Sequence, residues 1–159
     1  MADQEQESVI RVREALAAEG VPGQVRRLDD SARTAKEAAE ALGIVPAQIA
    51  SSLIFMADGQ AVLVVASGGH RVDTSKLSAL LDGVEIGKAN ADDVRQATGF
   101  AIGGVAPIGH PSPIRTIVDF DLGKYDEVWA AGGHPHYVFP TTFDELVRIT
   151  GGTPADVGA

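Results

Sequence analysis

Residues 51–67 read SSLIFMADGQAVLVVAS, two apolar runs, SSLIFMA and QAVLVVAS, on either side of Asp58-Gly59. An Asp-Gly pair suits the positive-φ positions of a two-residue turn, so the stretch predicts a β-hairpin. Antiparallel pairing of this kind argues for a mixed sheet with helices packed against it, an α+β arrangement, over a doubly wound parallel sheet.

Working outward, Val9, Val12, Leu16 and Ala17 recur at helical spacing between Ser8 and Glu19, and Gly20 ends the pattern. Val25 to Leu28 reads as a short strand. Ser31 or Thr34 supplies an N-cap oxygen to a second helix over TAKEAAEALG, which Gly43 stops, and Pro46 opens a helical turn in PAQIA. Beyond the hairpin, Asp73 or Thr74 caps a helix over SKLSALL, and Ala91 to Thr98 forms another that ends at Gly99. FAIGGVAPIGHPSP is too rich in Gly and Pro to be other than loop. IRTIVDFDL, EVWAAG and HYVFP read as strands, and TTFDELVRIT as a closing helix capped by Thr141 or Thr142. Residues 1–7 are expected to be a flexible N-terminus and 153–159, TPADVGA, a frayed tail.

The 159 residues, 45% of them hydrophobic, suffice for one domain with a core. With no cysteine, thiolate catalysis, disulfides and Cys-ligated zinc are excluded. No secretory signal or apolar run of about 20 residues is visible, so a cytoplasmic protein with no membrane partner is expected. A net charge of −9 argues against wrapping a nucleic-acid backbone, and DNA is not expected as a partner. A local basic patch could still form from Arg26 and Arg27, Arg33 and Lys36, or Arg71 and Lys76.

Phosphate-binding chemistry finds no support: Gly87-Lys88 lacks the rest of a P-loop, and no G-x-G-x-x-G follows a strand. Ser51 and Ser52 coexist with four histidines, but without a G-x-S-x-G elbow a hydroxyl bonded to backbone is the plainer reading. His134 and His136 would share one face of a strand and, with His110 and Asp119, could grip a metal; Pro135 between them interrupts that strand, and no metal is assigned. The loop from Gly99 to Pro113 carries more information. Gly103, Gly104 and Gly109 can expose backbone N–H groups to a bound carbonyl or ribose, and Pro107 stiffens the loop; the alternative is a purely structural crossover.

ATGFAIGGVAPIGH, with its Gly-x-x-x-Pro element from Gly103 to Pro107, resembles the substrate-facing loop of the YbaK/prolyl-tRNA synthetase-associated editing domains. The likeness continues in family order through RTAKEAAEALG, PAQIASSLIF, AVLVVASGGHRVDTSKLSALL, YDEVWAAGGHPHYVF and PTTFDELVRITGG, covering residues 8–152 as one YbaK-like domain. The resemblance implies a curled mixed sheet, a partial barrel, flanked by helices. It also implies an aminoacyl-tRNA deacylase that removes wrongly attached amino acids, acting on the 3′ end of aminoacyl-tRNA and in some members alongside a tRNA synthetase. No metal or organic cofactor is implied. A positioned water would cleave the ester, with backbone donors and the terminal ribose hydroxyl sharing the work.

By position, Thr34 and Ala35 would wall the amino-acid pocket, Gly103, Gly104 and Pro107 would face the carbonyl, and Gly132, Gly133 and His134 would border the adenosine. Ser52, Gly68, Gly109 and His110 complete the expected binding set. Two residues depart from the family pattern. Ser51 stands in IASSL where the family commonly has lysine, and His70 stands where it has Asn before Arg-Val-Asp. Ser51 keeps a hydrogen-bond donor but loses the ammonium, which leaves a non-catalytic module binding tRNA ends or a small aminoacyl ligand as the alternative.

Overall fold

The computed structural model describes residues 2–29, 32 and 34–159, with residues 2–6 described by their backbone alone. Ser31, one of the two candidate caps, and Arg33 of the candidate basic patch lie outside the described residues.

The hairpin forms as the sequence predicts. β2 (Ile49–Ala57) and β3 (Gln60–Ser67) pair antiparallel from Ala50↔Ser67 to Ala57↔Gln60, and Asp58 and Gly59 turn the chain with φ of 52° and 78°. Around it run α1 (Ala2–Ala18), β1 (Arg26–Arg27), α2 (Ala35–Leu42), α3 (Thr74–Leu80), β4 (Ile86–Lys88), α4 (Ala91–Thr98), β5 (Arg115–Asp119), β6 (Val128–Ala131), β7 (Tyr137–Thr141), α5 (Phe143–Thr150) and β8 (Thr153–Ala155). The sheet runs β1-β7-β6-β2-β3-β5-β8, with β4 on β2, and its two ends do not meet. β6 on β2, β5 on β3 and β8 on β5 are parallel; the remaining pairs are antiparallel. The fold is thus the expected α+β mixed sheet.

β3 explains why QAVLVVAS is continuously apolar. Leu63 and Val65 face a core that α1, α4 and α5 complete with Val12, Val94 and Leu146, while Val62, Val64 and Ala66 face Leu77 and Leu81 from the other side. A central strand covered on both faces has no solvent side to be polar on. A third cluster joins α2 to the sheet through Ala38, Ala39, Ile49 and Val138.

The caps follow the chemistry of the sequence. Thr34 closes a capping box with Glu37, Asp73 rather than Thr74 starts α3, and Thr142 rather than Thr141 accepts from the Glu145 N–H. Gly43, Gly99 and Gly151 end their helices in the left-handed conformation.

Three expectations need correction. The first helix starts at Ala2, within the segment expected to be flexible. The strand expected over IRTIVDFDL ends at Asp119, whose side chain accepts from the Asp121 N–H and turns the chain into a 3-10 helix over Phe120–Lys124. The tail is not frayed. β8 adds in parallel to β5, Val157 is wholly buried against the Leu77 cluster, and the N–H of Ala159 donates to the Arg71 carbonyl. Seven residues were too few to show a period, yet Ala155 and Val157 fill a gap in the core.

Candidate functional site

A small cavity of about 130 Å³ opens where α2, the start of β2, β6 and the Gly103 loop converge. Thr34, Ala35, Ser51, Ser52 and Gly103 line it, together with Ala32, Ala38, Val105, Trp129, Pro135, Tyr137 and others of the strands around them. Among the described residues, the lining contains no Asp, Glu, Lys, Arg or His. The polar groups of its described lining are the hydroxyls of Thr34, Ser51, Ser52 and Tyr137, the Trp129 indole N–H, and backbone N–H and C=O groups. Ser52 Oγ is buried and has no hydrogen-bond partner.

The walls are held by close approaches. A Cβ at Gly68 would lie 2.6 Å from the Pro46 carbonyl oxygen and 2.9 Å from Ala35 Cβ, so glycine there lets α2 and the Pro46 turn close on the end of β3. Ser67 reinforces this contact by donating from Oγ to the Ala47 carbonyl at 2.8 Å. At the rim, the Trp129 indole N–H donates to Glu127 at 3.1 Å, and the Arg26 guanidinium stacks 5.4 Å from the Trp129 ring centre. Arg26, from the candidate basic pairs, thus stands against a residue that lines the cavity, whereas Lys76 bonds Asp156 and the Gly158 carbonyl on the far edge.

The structure does not bring the other expected site residues to this cavity. Gly104 is buried and packs on the chain at 134–135: a Cβ would meet His134 Cα at 2.9 Å and Pro135 Cδ at 3.0 Å. Gly133 (φ 100°) lies against the Ser8 carbonyl of α1, and a Cβ on Gly132 would strike Val25. Gly103 (φ 90°) is exposed, a Cβ there would meet only Pro135 Cγ at 4.0 Å, and it is the glycine whose backbone borders the cavity. Pro107, Gly109 and His110 line a separate, wider cleft of about 520 Å³ between α1 and α5. There His110 Nε2 bonds the Ala106 carbonyl at 2.8 Å and meets Phe100 edge-on, and burial lowers its pKa below the ordinary 6.5. His134 lines a third cleft and stands edge-on to Tyr137.

The histidine arrangement considered for a metal does not assemble. His134 and His136 have ring centres 5.9 Å apart, but His110 is committed to Ala106 and Asp119 to His70. His70 bridges two carboxylates, Nε2 to Asp119 at 2.5 Å and Nδ1 to Asp121 at 3.0 Å. His70, Asp119 and Asp121 are close enough to hold an ion, yet both ring nitrogens are engaged and Lys124 pairs with Asp121 at 3.2 Å. Asp119 also accepts from the N–H groups of Ser67 and Asp121. This cluster pins the end of β3, and through Ser67 the Pro46 turn, from a crevice separate from the cavity.

Residues 29–149 match the aminoacyl-tRNA editing domain family, and the chain belongs to that family. It is similar to the uncharacterized protein YwhH of Bacillus subtilis strain 168, 32% identical over 127 residues that make up 79% of this chain and 80% of YwhH. It is 35% identical to the proline–tRNA ligase of Lactobacillus acidophilus over 100 residues, 62% of this chain but 18% of the ligase. Among solved structures, a candidate trans-editing enzyme for prolyl tRNA synthetase superposes with a TM-score of 0.91 at 44% identity, covering 96% of this chain and 97% of the other. The hypothetical protein APE2540 superposes with a TM-score of 0.86 at 31% identity, covering 94% and 99%. No described helix is long and apolar enough to cross a membrane.

Proposed function

We propose that this protein hydrolyses the ester of mischarged aminoacyl-tRNA, with the amino acid seated in the cavity beside Ser51, Ser52 and Gly103. The observation that carries this reading is a small cavity, its described lining uncharged, in a chain of the aminoacyl-tRNA editing domain family. Its volume of about 130 Å³ is below the roughly 300 Å³ at which drug-sized ligand pockets begin. The substrate side chain is accordingly a small one.

With no acid or base among the described lining residues, the catalytic work falls to positioning and to backbone donors. Water adds to the ester carbonyl and passes a proton to the neighbouring ribose hydroxyl, which hands its own to the departing ribose oxygen; N–H groups at the cavity wall stabilise the oxyanion, and the products are the free amino acid and the tRNA end with both hydroxyls restored. The partner is the 3′ end of tRNA, and the setting is the cytoplasm beside the translation machinery. The resemblance to editing segments of prolyl-tRNA ligases makes a prolyl-tRNA synthetase the natural companion enzyme.

A second reading, a binding module without turnover, is favoured by Ser51, a neutral hydroxyl in the cavity where the family commonly has lysine. Incubating the protein with a panel of mischarged tRNAs, in the presence of a chelator, separates the two. Release of small amino acids faster than large ones supports the deacylase. Tight binding of charged tRNA without release supports the module, and activity that needs added zinc overturns the metal-free scheme.

A further inference from the structure

The edge of β2 that faces the cavity is interrupted. β6 pairs with it only at Ile49 and Ala50, and β4 only from Phe55 to Ala57. Residues 51–54 lie between the two ladders. Because Asp58-Gly59 is a two-residue turn, Ala57 and Gln60 exchange both backbone hydrogen bonds. Alternation from there turns the N–H groups of Ser52 and Ile54 and the Ser52 carbonyl away from β3, toward the open edge.

The parallel ladder with β6 stops at Ala50↔Ala130, one step before the Ser52 N–H would be taken. Among the described residues, no backbone hydrogen bond outside the ladders reaches Ser52 either. Its N–H, C=O and buried Oγ are thus three unpartnered polar groups on one partly buried residue at the cavity wall. Such groups are nearly always paired in a folded protein, so this cluster marks a place where a ligand completes the pairing.

We propose that the gap in the edge of β2, centred on Ser52, receives the aminoacyl group as though it were a one-residue strand. The Ser52 carbonyl accepts a hydrogen bond from the substrate's α-ammonium, and the Ser52 N–H donates to the ester carbonyl. An aminoacyl ester has one donor-bearing nitrogen and one carbonyl on either side of a single α-carbon, which is the pattern one strand residue offers its neighbour. The charge argument agrees, since the described residues of the cavity wall include no carboxylate and an ammonium bound among them is met by carbonyl and hydroxyl oxygens. A chain acylated on that nitrogen loses the charge and two of its three N–H donors, and, because exchanging both bonds with Ser52 sets the substrate antiparallel to β2, it must continue into the space that β4 closes. The site therefore discriminates free aminoacyl esters from peptidyl or N-acylated ones.

This inference rests on the deacylase reading, and the test keeps the two apart. 3′-Aminoacylamino-3′-deoxyadenosines, whose amide resists hydrolysis, are titrated into the 15N-labelled protein in three forms: free amine, N-acetylated, and with the amine replaced by hydrogen. In parallel, alanyl-tRNA, seryl-tRNA and their N-acetyl forms are assayed for deacylation. The expected result is that the free-amine analogue shifts the Ser52 amide resonance and slows its exchange with solvent, while the other two analogues bind at least tenfold more weakly and N-acetyl-aminoacyl-tRNA is spared. Deacylation of free and N-acetylated substrates at equal rates, with the Ser52 amide unmoved, overturns the strand-edge seat and leaves the deacylase standing. Failure of every analogue to bind and of every tRNA to be hydrolysed overturns both.

Discussion

Replacing Asp119 by Ala tests whether the buried carboxylate at the end of β5 holds the site together. Its side chain is completely buried and accepts from the Ser67 N–H at 2.9 Å, the Asp121 N–H at 3.0 Å and His70 Nε2 at 2.5 Å. Alanine leaves the buried Ser67 N–H without its acceptor and His70 with Asp121 alone. Leaving a buried donor unsatisfied costs about 1–3 kcal/mol, and the bonds lost from Asp121 and His70 bring the expected loss to about 3 kcal/mol. For a domain of this size that corresponds to a fall in melting temperature of about 6–12 °C. Urea denaturation should show the midpoint lowered with an unchanged slope, because the surface exposed on unfolding is the same. Amide exchange should quicken locally at residues 67–70, since Ser67 ties this turn to Ala47. A loss below about 1 kcal/mol would refute the reasoning, because three hydrogen bonds to one buried anion cannot be that weak if they form.

Three further predictions follow from the same geometry. His110, whose pKa is lowered first by burial, binds a proton less readily folded than unfolded, so stability falls as pH drops below the ordinary 6.5 and is fully present above it; His110→Phe should flatten the pH slope of the urea midpoint between 7 and 5 relative to the parent, and an equal slope would remove His110 as the cause. Gly103→Ala should cost about 1–2 kcal/mol from its positive φ alone, whereas Gly104→Ala, which drives a Cβ into the backbone of His134, should cost clearly more; equal urea midpoints for the two variants would refute the packing role of Gly104. Ser51→Lys brings an ammonium to an uncharged cavity and should speed deacylation about tenfold, the equivalent of about 1.4 kcal/mol in the transition state. Ser51→Ala should stay near the parental rate, and an inactive Ser51→Ala variant would make the hydroxyl a working group.

Local chemistry made most of the elements legible. The Asp-Gly turn, the Thr34 capping box and the glycines that end helices each act within a few residues, and the structure has them where the sequence puts them. β4 and β8 were not legible, because three-residue strands show no period and form only where an existing strand offers an edge. The cavity was half legible. Thr34, Ala35, Ser51, Ser52 and Gly103 came from motif positions, but Trp129, Tyr137 and Val138 meet them only because β6 and β7 fold back beside β2. Glycine was the hardest residue to read. A sequence shows that backbone must come close at Gly68, Gly104, Gly132 and Gly133, but not whether to a ligand or to another part of the chain. At these four the answer is the chain itself: Pro46, His134, Val25 and Ser8.

The division of labour in the cavity has a consequence for specificity. Groups that can recognise what all aminoacyl esters share, the ammonium, carbonyl and ribose, are backbone atoms of β2 and the Gly103 loop, held by the sheet and by the packing of Gly104 on the His134 segment. In the proposed seat, the groups left to meet the variable side chain are the apolar lining residues Ala32, Ala35 and Ala38, together with Val105. Enlarging one of these alters the volume without touching a hydrogen bond, so it should change which amino acid is accepted while leaving the ester chemistry intact. A hydrophobic wall rejects a side chain one methylene too large by only about 1–3 kcal/mol. Selectivity against the larger, correctly attached amino acid therefore depends on the stiffness of that wall, which the α2 contact through Gly68 and the Asp119–Ser67–Ala47 chain of bonds provides.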